Sequence, residues 1–267
     1  MPRANRYYAP GLIWHITHRC HKQEFLLKFA KDRARWVGWL YEAKKRYGLC
    51  VLNYIVTSNH IHLLVLDTGK NVISDSMQLI AGRTAQEYNK RKTRKGAFWE
   101  DRYHATAVDS NAYLLRCMVY VDLNMVRAGV VSHPSQWPDS GYHDIQTPPK
   151  RKCIIDTHQL LELFDVNHSQ SFQELHRQWI DETLQHDRLR REPCWSESIA
   201  VGSEAFVEKT KEQLRSRAYS RECQHADDKY QLKEPAVIYQ VHFAPEKGQL
   251  RLENQCFWED SVVNTDR

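Results

Sequence analysis

The stretch Asn53-Tyr-Ile-Val-Thr-Ser-Asn-His60-Ile61-His62-Leu-Leu-Val-Leu66 decides how this chain is read. Apolar residues fill both ends and Ser58-Asn59 separates them, so a hairpin of Cys50 to Thr57 with His60 to Leu66 is expected. Side chains alternate faces along a strand, which sends His60 and His62 the same way and Ile61, Leu63 and Val65 into a core. Two imidazoles side by side on a rigid strand are two of the ligands a metal site needs. With 14 histidines in 267 residues, one His-x-His pair is expected by chance, so the pair gains meaning only from its surroundings.

Working outward, Leu12 to Arg19 reads as a strand and Lys28 to Tyr47 as a helix. Val72 to Lys90 is a second helix and Phe98 to Val108 a further strand. A helix then runs from Ser110 to Gly129, with Ser110 or Asp109 as N-cap and Gly129 where a left-handed C-terminal cap belongs. The order β-α-β-β-α-β-α predicts an α+β fold, a ferredoxin-like split β-α-β sheet with helices on one face. Along the last helix Tyr113, Cys117, Tyr120 and Asn124 share a face, so Tyr120 and Asn124 are neighbours one turn apart. Such a pair is either a half-buried aromatic beside a solvated amide, or a nucleophile beside a carbonyl ligand.

Four blocks occur in order: Pro10-Gly11-Leu-Ile-Trp-His15-Ile-Thr-His-Arg, His60-Ile61-His62, Gly96-Ala-Phe-Trp-Glu-Asp-Arg-Tyr-His104, and Tyr120-Val-Asp-Leu-Asn124-Met-Val-Arg-Ala-Gly129. Together they resemble the single-tyrosine HUH transposases, in particular the REP-associated tyrosine transposases, over about residues 1 to 135. Met125 stands where the family pattern has proline, and Asn124 where insertion-sequence relatives tend to have glutamine. The resemblance implies an enzyme that nicks and rejoins single-stranded DNA beside palindromic, REP-like hairpins. It implies Tyr120 as nucleophile, forming a covalent 5′-phosphotyrosine, and His60, His62 and Asn124 as ligands of a divalent Mg²⁺ or Mn²⁺. It implies no nucleotide cofactor, because the phosphotyrosine keeps the bond energy. A hairpin-binding module without catalysis is the alternative from another class; a relaxase or replication-initiator type HUH nuclease shares the chemistry. Monomer and dimer both remain open.

Residues 1 to 131 carry 21 Lys and Arg against 10 Asp and Glu, a net +11, whereas the remainder carries 17 against 23, a net −6. The first half therefore has the basic character of a backbone-binding surface. The densest run, Lys90 to Lys95, makes Arg91, Lys92, Arg94 and Lys95 candidate phosphate contacts. Arg3 and Arg6, next to Tyr7 and Tyr8, are further candidates for single-stranded DNA. Among the other histidines, His15, His18 and His104 read as packing or hydrogen-bonding residues, with His104 a reserve ligand; Tyr113 is the reserve nucleophile.

Seven scattered cysteines with no Cys-x-x-Cys pair, and no signal peptide, point to a reducing cytoplasm. No apolar run is long enough for a membrane span. Prolines at 134, 138, 148 and 149 make residues 136–152 read as a linker or arm between the core, 1–135, and a mainly helical C-terminal extension, 153–267. Helices are expected over Thr157 to Phe164, Ser171 to Leu189 and Ser203 to Ala218, and β-like pieces over Ala236 to Trp258.

Overall fold

The computed structural model describes residues 8–110, 112–186, 189–214, 221–226 and 229–233. The expected elements form in the expected order. Strand β1 (Ile13–Arg19) leads to helix α1 (Ala30–Tyr47), then to β2 (Cys50–Val56) and β3 (His60–Leu66) as a hairpin. Helix α2 (Val72–Arg91), strand β4 (His104–Val108) and helix α3 (Ala112–Asp122) follow. The sheet order β2-β3-β1-β4, antiparallel throughout, is that of a split β-α-β, ferredoxin-like sheet. Strand β4 is shorter than expected. Before it, Trp99 makes only an isolated antiparallel bridge to Cys20, while its ring stacks on His18 at 4.0 Å and donates Nε1–H to the Ala81 carbonyl at 3.0 Å.

Register assigns the two faces. Trp14, Ile16 and His18 lie opposite Val65, Leu63 and Ile61, while His15 and Thr17 lie opposite Leu64 and His62. Helices α1 and α2 pack on each other, helped by Arg35 to Glu87 at 3.1 Å, and cover the Trp14 face. The expectation of helices on one face holds for this pair; α3 lies on the other face, against His15 and His62. Both faces are therefore buried, and β2 and β3 read as near-continuous apolar runs for that reason.

The division expected at 136–152 does not occur. The described residues up to Pro235 fall in one compact unit. Helix α4 (Asn124–Arg127) precedes a short turn, and α5 (Gly141–Gln146) buries Tyr142 and Ile145. The Val56 amide donates to the Asp139 carbonyl at 2.9 Å, which binds this segment to the edge of β2. Proline here shapes turns on the surface of the core; Pro134 begins a 3₁₀ turn.

Helices α6 (Thr157–Leu163), α7 (Ser169–Gln185), α8 (Cys194–Glu197) and α9 (Glu204–Leu214) form the helical part of the extension. It is not only helical. Strand β5 (Ala200–Gly202) pairs parallel with β4, and β6 (Glu222–Ala226) and β7 (Lys229–Lys233) continue the sheet to seven strands, β2-β3-β1-β4-β5-β7-β6. Residues Ala236 to Trp258, where β-like pieces are expected, lie outside the described residues.

Candidate nuclease site

A buried polar network fixes α3 on its sheet face. A β-bulge between Val51 and Asn53 re-aims Asn53 toward α3, where its Nδ2 donates to Asp122 Oδ1 at 3.0 Å. The other oxygen of Asp122 accepts from His176 Nε2 at 2.8 Å, and Gln146 Nε2 donates to His176 Nδ1 at 2.9 Å. Asp122 thus joins the sheet, α3 and α7 from a fully buried position. Gly141 closes over it, since a Cβ there would stand 2.3 Å from Asn53 Oδ1.

Two residues earlier, α3 presents Tyr120 to the histidines. Its ring centroid lies 5.8 Å from that of His62 and 6.2 Å from that of His15. The expected single helix is broken at Leu123, between α3 and α4. At the break the Tyr120 carbonyl accepts from Arg127 Nη2 at 2.6 Å, and the guanidinium lies 3.9 Å over the Tyr120 ring. Gly129 closes the segment at φ 67°, the left-handed conformation expected of it. Burial pushes the Tyr120 hydroxyl up from its usual value, and the Arg127 cation works in the opposite direction.

The hydrogen bonds assign the histidine tautomers. The Trp195 carbonyl can only accept, so His15 Nδ1, 2.7 Å away, carries its proton. Burial lowers the His15 pKa to about 4, so the ring is neutral at pH 7 and its Nε2 accepts. His62 Nδ1, 2.9 Å from that nitrogen, must therefore donate. This leaves a lone pair on His62 Nε2, 2.9 Å from Asn124 Nδ2. His60 Nδ1 lies 2.7 Å from Asn59 Oδ1, which accepts its proton and leaves its Nε2 lone pair as well. Burial, then Arg19, lowers His60 to about 4; burial, then His15, holds His62 well below its usual value. Both rings are in the neutral form a metal requires.

His60, His62, Asn124 and Tyr120 line one cleft of about 770 Å³. Two imidazole lone pairs and one carboxamide oxygen fit a divalent cation of intermediate to hard character. Among the described residues no group of three or more His, Cys, Asp or Glu is placed to hold a metal, so any such ion depends on Asn124.

Of the other expected residues His104 also lines this cleft, whereas the candidate phosphate contacts that the structure describes do not. Arg91 pairs with Asp32, Lys92 sits 5.2 Å over the Phe29 ring, and Arg94 donates to the Ala97 carbonyl at 2.8 Å. These three brace the end of α2, and neither they nor exposed Lys95 line the cleft. Arg3 and Arg6 lie outside the described residues. His104, the reserve ligand, is turned to the Ser198 carbonyl at 2.9 Å, and Tyr113 packs against the core. Sequence reasoning missed the support His15 gives to His62. The signal was present, since β1 pairs with β3 and His15 shares the face of His62. It also missed Arg127, which alternates onto the Tyr120 face two turns on, and it had no access to the Trp195 carbonyl.

The site thus sets paired histidines of an antiparallel sheet against a tyrosine and an asparagine brought in by the facing helices. Residues 9–124, a little under half of the chain, match the family described as "Transposase IS200 like". Among curated proteins there is no match. Among solved structures the chain is similar to a REP-associated tyrosine transposase bound to a REP hairpin, at 20% identity and a TM-score of 0.47, over 58% of this chain and 94% of that one. It is also similar to a candidate transposase from Deinococcus radiodurans R1, at 16% identity and a TM-score of 0.33, over 47% and 95%. No helix among the described residues is long and apolar enough to cross a membrane.

Proposed function

We propose that this protein is a single-strand DNA transposase of the REP-associated type, which cuts beside palindromic hairpins through Tyr120 and rejoins the strand. The observation that carries this reading is the meeting of Tyr120 with His60, His62 and Asn124 in one cleft. Tyr120 Oη attacks phosphorus, the Oη–P bond forms, and the P–O3′ bond breaks. The proton lost from the tyrosine balances the one gained by the departing 3′ oxygen. The 5′-phosphotyrosine keeps the energy of the broken ester, so a 3′-hydroxyl reverses the step without ATP. Arg127, stacked on the ring, favours the phenolate that attack generates. Asn124, His60 and His62 would hold Mg²⁺ or Mn²⁺, which supplies positive charge to the scissile phosphate.

Incubated with Mn²⁺ and a labelled single-stranded hairpin, the protein is expected to give an SDS-resistant adduct that EDTA prevents. Hairpin binding with no adduct across several oligonucleotides and both metals would favour the binding-module alternative.

His15 acts on the cation only through His62. Its removal frees the His62 ring and its tautomer, and loss of such an outer partner costs about 10- to 100-fold in metal affinity. His15→Ala is therefore expected to weaken Mn²⁺ binding by that factor in an electron paramagnetic resonance titration. An unchanged dissociation constant would remove His15 from the site.

A further inference from the structure

Tyr120 has a second side. Behind it, a cleft of about 880 Å³ runs between α3 and the extension. Its basic lining is Arg116, Arg127, Arg190, Arg191, Lys229 and Lys233. Against these six stand Glu182 and Glu192, and Glu192 is already paired with Lys229. The extension as a whole is acidic, so this concentration of cations runs against the composition of its own half of the chain. Four of the six, Arg190, Arg191, Lys229 and Lys233, come from the extension, beyond the segment that matches the transposase family.

The two clefts meet. Tyr120, Arg127 and Arg191 line both. A scissile phosphate lies inside a strand, so two flanks must leave it in two directions. One cleft at the histidines accommodates the phosphate and one flank. The other flank needs a path on the far side of the nucleophile, and a path lined by Arg and Lys suits a polyanion.

We propose that the cleft between α3 and the extension is a binding site for single-stranded DNA, which takes one flank of the cut strand as it leaves Tyr120. This rests on the reading of Tyr120 as the nucleophile of a DNA transposase, but the cleft can be tested apart from it. Arg190 is exposed and Lys233 half-buried, and neither touches the histidines, so both can be replaced without disturbing the site.

The probe is oligothymidine, dT20, which forms no hairpin and needs no cutting. Its affinity is followed by fluorescence anisotropy at several salt concentrations, for the full chain and for Arg190→Ala/Lys233→Ala. Each phosphate contact to a single strand contributes about 0.7 to the slope of log affinity against log salt. The double variant should therefore lower the slope by about 1.4, with an unchanged Tm. Lys45→Ala/Arg46→Ala, which removes two exposed charges from α1, serves as the charge-matched control and should leave the slope near that of the parent. A slope unchanged in the cleft variant, or lowered equally in both variants, overturns the proposal. The hairpin adduct reports separately. If dT20 behaves as expected and no adduct ever forms, the cleft stands as a single-strand site and the nucleophile assignment falls. If an adduct forms and the cleft variant leaves dT20 binding unaltered, the nucleophile stands and the cleft assignment falls.

Discussion

Tyr120→Phe is expected to abolish the SDS-resistant adduct, with at least about a 10³-fold loss of strand cleavage and little change in hairpin affinity. The substitution removes one oxygen and keeps the ring. The edge contacts with His15 and His62, the tilt against Trp195 and the Arg127 stack all survive it. Folding is thus preserved while the attacking atom is lost. Tyr113 does not take over, because it packs against the core and lines neither cleft. Quantitative gel analysis of labelled oligonucleotide, with melting temperature as the folding control, measures both halves of the prediction. Residual adduct near the parent level would show that another residue attacks.

The second large effect concerns stability. His176→Leu is expected to cost about 3–5 kcal/mol, because it leaves one oxygen of the buried Asp122 carboxylate without its donor. Leucine fills comparable volume, so the loss reports the hydrogen bond rather than a cavity. A fall in Tm of roughly 10 °C should accompany it. Adding Asp122→Asn to His176→Leu should recover part of that loss, since a neutral amide costs less to bury unpaired and can still accept from Asn53. Denaturant unfolding of both variants decides the matter. A double variant less stable than His176→Leu alone would mean that the carboxylate is not the source of the penalty.

The two effects share a cause, because the network that holds α3 is what presents Tyr120. Much of the fold and half of the site are legible in the sequence. The strands at His15 and His62 and the helices between them announce themselves through alternation, helical periodicity and the glycine at 129. The His60, His62, Tyr120 and Asn124 set is visible as spacing within two elements. The rest depends on distant chain. The Trp195 carbonyl meets His15 across 180 residues, and no local pattern marks a backbone oxygen as a proton acceptor. Strand β5 has three residues, too few to alternate. The proline-rich stretch reads as a linker because composition reports backbone restriction, whereas its burial comes from Trp137, Tyr142 and Ile145 meeting a surface built elsewhere. In the Arg91 to Lys95 run, the internal partners of Arg91 and Arg94 are likewise invisible to composition. Charge density is a property of sequence, but whether a cation faces DNA or an internal partner is a property of the fold.

The parallel pairing of β4 with β5 has one more consequence. Without the extension, β4 would be the outer strand of a four-stranded sheet, with its amides open at the rim. Here Ala107 and Asp109 already donate to the Ile199 and Val201 carbonyls. That rim is sealed from within the chain, so a second molecule cannot add a strand along it, and a fragment ending before β5 would expose a sticky border prone to self-association. The appended half thus covers this rim of the four-stranded core, and the outer position on that side of the sheet passes to β6.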